Sequence, residues 1–118
     1  MMPESNPVLD AIFNRRSVRD YLEKPVPGEL IKKIIEAGVW APSGLNNQPW
    51  RFAVVQDKNT KSQIAQPTRY RAIAEKVRSI LDLPENLELM AVVALGYPKH
   101  TKQKSSRKPL EEFIVKEL

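Results

Sequence analysis

Cysteine is absent from the 118 residues, and histidine occurs once, at His100. The first absence removes disulfides, thiolate metal sites and cysteine nucleophiles. The second weighs against a zinc site or a histidine-relayed hydrolase. Glycine is scarce, with four residues, and neither GxGxxG nor GKS/GKT occurs, so dinucleotide-Rossmann and P-loop chemistry have no support. The longest apolar run, Met90 to Leu95, is strand-sized and far short of the roughly 18–20 residues that span a bilayer. The opening MMPESNPVLD has no basic stretch followed by an apolar one, so no secretory signal is expected and the cytoplasm is the expected compartment. Acidic residues are the minority, 14 against 19 Lys and Arg, and the net charge of +5 favours anionic partners. The length fits one domain, 1–118, and a chain of this size can bury about two-thirds of its unfolded surface.

Helical and strand-like segments alternate along the chain. Pro7 suits a helix start, and Val8, Leu9, Ile12 and Phe13 give an apolar side to a helix ending near Asn14. After the turn Pro25-Val26-Pro27-Gly28, a second helix from Glu29 to Trp40 carries Ile31, Ile34, Ile35 and Gly38 on one face. Arg51 to Gln56 reads as a short apolar strand closed by Asp57-Lys58-Asn59, and Lys61 to Ala65 as a helical turn. A helix follows from Tyr70 to Leu83, with Ile73, Val77, Ile80 and Leu81 inward. Leu87 to Gly96 reads as a buried strand, Lys99 to Lys108 as a basic loop, and the tail Leu110 to Leu118 as helix or strand. The fold class is therefore α/β or α+β, a small sheet flanked by helices. Two strands make a poor sheet, so a third must come from the tail or from a second subunit, which favours a dimer.

Three polar clusters can carry chemistry. Arg15, Arg16, Ser17 and Arg19 put three guanidinium groups and a hydroxyl at a helix end, a donor set that grips phosphate bidentately. Taken alone, the segment reads first as a solvated basic loop. Residues 42–50, PSGLNNQPW, are dense in amides, which suit a heterocycle edge or a ribityl chain, and Gly44 permits close approach of backbone to a flat ligand. The plain alternative is a surface turn beside a tryptophan. Lys99, Lys102, Lys104, Arg107 and Lys108 form either a solvated loop or an anion-binding arm. His100 is expected to be exposed, and Trp40 and Trp50 to be core or interface residues. Tyr70, Arg71 and Tyr97 could stack on bases, but no RNP-like pattern surrounds them and nucleic acid is not favoured. Glu29, Glu36, Glu111 and Glu112 make no general acid/base pair.

In their order along the chain, RRSVR, APSGLNNQPW with its following strand, and LGYP followed by RKPLEE resemble the nitroreductase family of FMN-dependent oxidoreductases. The resemblance covers most of the chain. It implies FMN bound at a homodimer interface, with hydride from NAD(P)H passed to a nitroaromatic, a quinone or a similar small acceptor. By position, it implies that Arg15, Arg16 and Ser17 lie near the flavin phosphate and ribityl chain, and Arg19 near the pyrimidine end of the ring. There a cation stabilises the charge that develops on reduction. It further implies that Pro42, Ser43, Gly44 and Asn46 come from the other subunit, with Gln48 close by, and that Arg107 completes the phosphate site. Members generally use no side-chain acid or base, so no catalytic side chain is assigned.

The departure is central. Between the segment near Val55 and the helix at Tyr70, this sequence lacks the helices, the strand and the Gly-rich segment that form the family's wall beside the flavin N5. The junction is expected at Ala65 to Arg69. Three outcomes remain open: a small FMN oxidoreductase, a non-catalytic flavin-binding module, or a dimeric scaffold without flavin.

Overall fold

The computed structural model describes residues 4–65, 70–100 and 103–118. All of the expected junction but Ala65, and Lys102 of the basic loop, lie outside them, as do the side chains of Tyr70 and Arg71. The described residues form α1 (Pro7–Asn14), α2 (Gly28–Val39), a 3-10 turn at Gly44–Asn46, α3 (Lys58–Ala65), α4 (Tyr70–Leu81) and a second 3-10 turn at Leu110–Glu112. They group into two compact units, one of Met1–Glu23 with Tyr97–Leu118 and one of Lys24–Gly96.

In the first unit, α1 starts where its sequence says it should. The Asn6 side chain accepts hydrogen bonds from the backbone N–H of Val8 (3.0 Å) and Leu9 (3.3 Å), and Pro7 at the first helical position has no N–H to leave unsatisfied. Beyond α1 the chain pairs antiparallel with residues 97–99: Leu22 N donates to Tyr97 O (2.8 Å) and Lys99 N to Asp20 O (3.0 Å), around a bridge between Tyr21 and Pro98. The arginine segment is thus held between a capped helix and a two-stranded clasp. The tail is a single 3-10 turn followed by irregular chain.

In the second unit, Pro27 sets the entry to α2, its carbonyl accepting from Leu30 N (3.0 Å) and Ile31 N (3.2 Å). Ile31 is buried and Ile35 half-buried, whereas Ile34 on the same stripe stays exposed. Asp57, expected to close a strand, instead starts α3, so this helix is longer than the expected turn. Its Oδ2 accepts from Thr60 N and Thr60 Oγ1, both at 2.7 Å. α3 packs against α4, where Val77 is 4% exposed and Ile73, Ile80 and Leu81 are half-buried. Full burial of a valine contributes about 1.5–3 kcal/mol, so Val77→Asp is the single change that would most directly break this helix pair. α4 ends with Asp82 at φ 49°, and Leu83 N closes on Arg78 O (3.0 Å). The Arg78 guanidinium reaches forward to Leu87 O (2.9 Å) and ties the following segment to the helix.

Neither apolar segment read as a strand, 51–56 or 87–96, carries a ladder among the described residues. A strand needs a partner for its backbone N–H and C=O groups, and these two do not pair with each other. Their side chains are correspondingly open: Phe52, Val54, Met90, Val92, Val93 and Leu95 are all exposed, Val93 at 83%. Trp40 is 84% exposed, so it is no core residue, while Trp50 is half-buried. No helix of the described residues is long and apolar enough to cross a membrane.

Candidate functional site

The first donor cluster follows α1 directly. At Arg15 the backbone leaves the helix (φ −57°, ψ 134°), which turns residues 15–19 into extended chain. Arg15 Nη1 donates to Ser17 Oγ at 3.3 Å, bringing those two predicted residues together. Arg16, the half-buried member, donates from Nη1 to Phe13 O (3.0 Å) and to Arg15 O (2.8 Å). Arg19 is exposed, with no hydrogen bond or ion pair to another described residue. Tyr21, to which the sequence assigned nothing, anchors the far end: its hydroxyl donates to Val18 O at 2.9 Å. An aromatic two residues beyond the last arginine was the available signal.

Arg107 lies in the same unit on its own exposed segment, Nη1 donating to Ser106 O (3.1 Å). Lys108 pairs with Glu112 at 3.3 Å, and that bridge is solvent-exposed. His100 is exposed as expected, with Nε2 3.8 Å from Asp20 Oδ2 beside the 20–22/97–99 clasp.

The second cluster, in the other unit, is a tied loop. Ser43 Oγ accepts from Gln48 N (2.9 Å), Ser43 O from Asn46 N (3.0 Å) and Gly44 O from Asn47 N (3.1 Å). Gln48 Nε2 donates to Asn46 O (3.2 Å), so Ser43, Asn46 and Gln48 form one network. Arg51 closes the loop from outside, its Nη1 reaching Gln48 O (3.2 Å) and Trp50 O (2.7 Å). The sequence reading missed that part for Arg51. Left-handed backbone falls on Leu45 (φ 53°), Asn46 (56°) and Gln48 (47°), not on Gly44. A leucine there costs roughly 1–2 kcal/mol relative to its ordinary conformations, and the hydrogen bonds around it hold it in place. Leu45 is 96% exposed, and nothing lies within 4 Å of where a Cβ at Gly44 would stand. Pro42 and Gly44 therefore border open space at the loop's start.

Neither cluster lines the groove beside α4. That groove, of about 680 Å³, lies between α4 and residues 85–89, with Glu75, Glu85 and Glu88 on its walls. Three carboxylates beside the one guanidinium of Arg78, which is engaged by Leu87 O, are the wrong lining for a phosphate, whereas both donor clusters have the right chemistry for a phosphorylated, heterocyclic ligand.

Comparison with known proteins identifies the family. A solved nitroreductase from Desulfovibrio desulfuricans, in complex with FMN, is 29% identical, superimposes with a TM-score of 0.73, and is covered over 98% of its chain by 97% of this one. The fold is nitroreductase-like. Residues 12–76 match the model of the nitroreductase family, and the chain belongs to that family. A Thermus thermophilus relative named an NADH dehydrogenase is 41% identical over 90 residues, 74% of this chain but 44% of the relative. The chain thus spans less than half of that protein's length. An Archaeoglobus fulgidus relative, named an NADH dehydrogenase/NAD(P)H nitroreductase, matches at 26% identity over 151 residues. Those 151 residues take in 87% of the relative and 80% of this 118-residue chain, so the relative has internal sequence with nothing opposite it here. That is the pattern of a shortened family member.

Proposed function

We propose that this chain is an FMN-dependent oxidoreductase of nitroreductase type, which takes hydride from NAD(P)H and delivers it to a nitroaromatic, a quinone or a similar small acceptor. One nitroreductase-like domain over residues 1–118 forms a homodimer in the cytoplasm, without a nucleic-acid partner. The observation that carries this reading is that the family match over residues 12–76 contains both donor clusters, 15–19 and 42–48. The FMN complex of the Desulfovibrio neighbour and the names of the Thermus and Archaeoglobus relatives support the cofactor and the reductant.

FMN, when bound, supplies the hydride-carrying ring. The chain's own residues bind and orient it. Arg15, Ser17 and Arg107 are the donors for its phosphate and ribityl chain, with Arg16 beside them in the segment, and exposed guanidinium groups and a hydroxyl fit that charge. Arg19 is the cation for the pyrimidine end of the ring, where it stabilises negative charge formed on reduction. Pro42, Ser43, Gly44, Asn46 and Gln48, from the second copy, offer amide and hydroxyl groups on a backbone already held in shape.

A second reading has its own support. With the junction where the resemblance puts it, at Ala65 to Arg69, the exposed apolar segments 51–56 and 87–96 bracket the shortened region, and the redox face lacks the wall that hydride transfer needs. On that reading the chain binds flavin without turnover. A dimeric scaffold that has lost flavin is the remaining limit.

Titrating FMN and riboflavin into the purified protein tests the assignment. Saturable FMN binding much tighter than riboflavin binding is expected, followed by bleaching of the bound flavin with NADH or NADPH. Equal affinities for the two flavins would sink the phosphate assignment. Tight binding without bleaching selects the non-catalytic module, and no binding leaves the scaffold.

A further inference from the structure

The three arginines that follow α1 are not in equivalent situations. Arg16 is half-buried, whereas Arg15 and Arg19 are exposed. Its Nη1 donates to Phe13 O and Arg15 O at 3.0 and 2.8 Å, carbonyls at and just past the last turn of α1. The last four carbonyls of a helix have no partner within it, and that end carries the negative pole of the helix dipole. The last turn of α1 holds no basic residue of its own, and the chain leaves at Arg15 in an extended conformation rather than closing on itself. Arg16 supplies both what this helix end lacks: donors for its carbonyls and a positive charge beside its dipole. Arg15 reaches only the neutral Ser17 hydroxyl, at the long distance of 3.3 Å. Arg19 has no partner among the described residues.

We propose that Arg16 is a positioning residue. It caps the C-terminus of α1 and sets the direction in which residues 15–19 leave, so that Arg15, Ser17 and Arg19 are presented together while its own guanidinium stays on the helix. Tyr21, through Val18 O, holds the other end of the same short span. This narrows the flavin-phosphate reading of the segment and rests on it, because only two of its three cations then face the ligand.

The ratio of FMN to riboflavin affinity separates the two roles, since riboflavin lacks the phosphate. A guanidinium on the phosphate adds a charge-assisted bond that only FMN feels, and its loss should cut the ratio by about tenfold or more. Arg15→Gln is expected to do this. Arg16→Gln is expected to cut the ratio far less than Arg15→Gln does, because on this assignment the Arg16 guanidinium is not one of the phosphate donors. Arg16→Ala should weaken riboflavin as well as FMN, because Arg19 loses its placement together with Arg15 and Ser17. Amide hydrogen exchange supplies a readout that needs no flavin: Arg16→Ala should speed exchange at Ala11 to Asn14, and Arg15→Ala should not. A collapse of the ratio in Arg16→Gln to the level of Arg15→Gln would overturn the proposal. So would unchanged exchange at Ala11 to Asn14 in Arg16→Ala, including in a protein that binds neither flavin, where the phosphate reading has already failed and the exchange result stands alone.

Discussion

At the scale of single residues, the groups that hold backbone in place are easier to assign than the groups that hold a ligand. Asp57 is the clearest. Its carboxylate accepts from the Thr60 hydroxyl and the Thr60 N–H, and those two bonds hold its pKa below the usual carboxylate value. A group whose pKa is depressed in the folded state contributes stability that is present above its unfolded pKa, about 3.9, and is lost as pH falls through the lower folded value. α3 should therefore keep its first turn at neutral pH and fray in acid below about pH 4. Side-chain carboxyl titration by NMR, with amide exchange over residues 58–61, reads this directly. In Asp57→Asn the acid transition at α3 should disappear. A transition of unchanged midpoint in that variant would assign it to another carboxylate. The sequence showed Asp57 only as a turn former, because Asp-Lys-Asn suits a turn and a helix cap equally well. Arg51 and Tyr21 were illegible for a related reason: each acts through contacts with carbonyls several residues away in a bend that no periodicity announces.

At the scale of elements, helices were legible and strands were not. α1, α2 and α4 lie within one or two residues of their expected bounds, because a helix satisfies its backbone groups internally and the apolar stripe is written in consecutive residues. Residues 51–56 and 87–96 have strand composition, but a ladder is a property of two segments, and their partner is not encoded in either one. Loop 42–50 was legible as a loop rich in amides. Its left-handed residues were not, since the glycine that advertises such backbone is one position before them. The end of α4 shows the same displacement. Asp82 holds φ 49° where a glycine is usual, and Leu83 N bonds back to Arg78 O. Asp82→Gly should consequently stabilise the chain by about 0.5–1 kcal/mol, and Asp82→Val, whose branched side chain opposes this conformation, should destabilise it by more. Thermal unfolding of the pair decides: a lower midpoint for Asp82→Gly than for the parent would show that the aspartate side chain contributes more than its backbone costs.

At the scale of the molecule, area is the deciding quantity. Within each of the two units, the described residues leave a large apolar area exposed. It includes the apolar faces of α1 at Val8, Ile12 and Phe13, of residues 90–95, and of the tail at Phe113, Ile114 and Val115. At about 25 cal/mol per Å² of apolar surface, a partner that covers a few hundred Å² of these faces would contribute on the order of 10 kcal/mol before the entropy of association is subtracted. The homodimer proposed for this chain is one such partner, and its unpaired strand segments give that partner backbone as well as side chains to bind. If association supplies the missing core, folding and dimerisation are one equilibrium, and the unfolding midpoint must rise with protein concentration. Light scattering should then give twice the chain mass, and the thermal midpoint should climb across a hundredfold concentration range. Val93→Glu, which puts a charge on the most open of the strand-like positions, should lower the midpoint and abolish its concentration dependence together. A folded monomer whose midpoint ignores concentration would mean that these faces are covered by residues of the same chain, and the partner would no longer be needed.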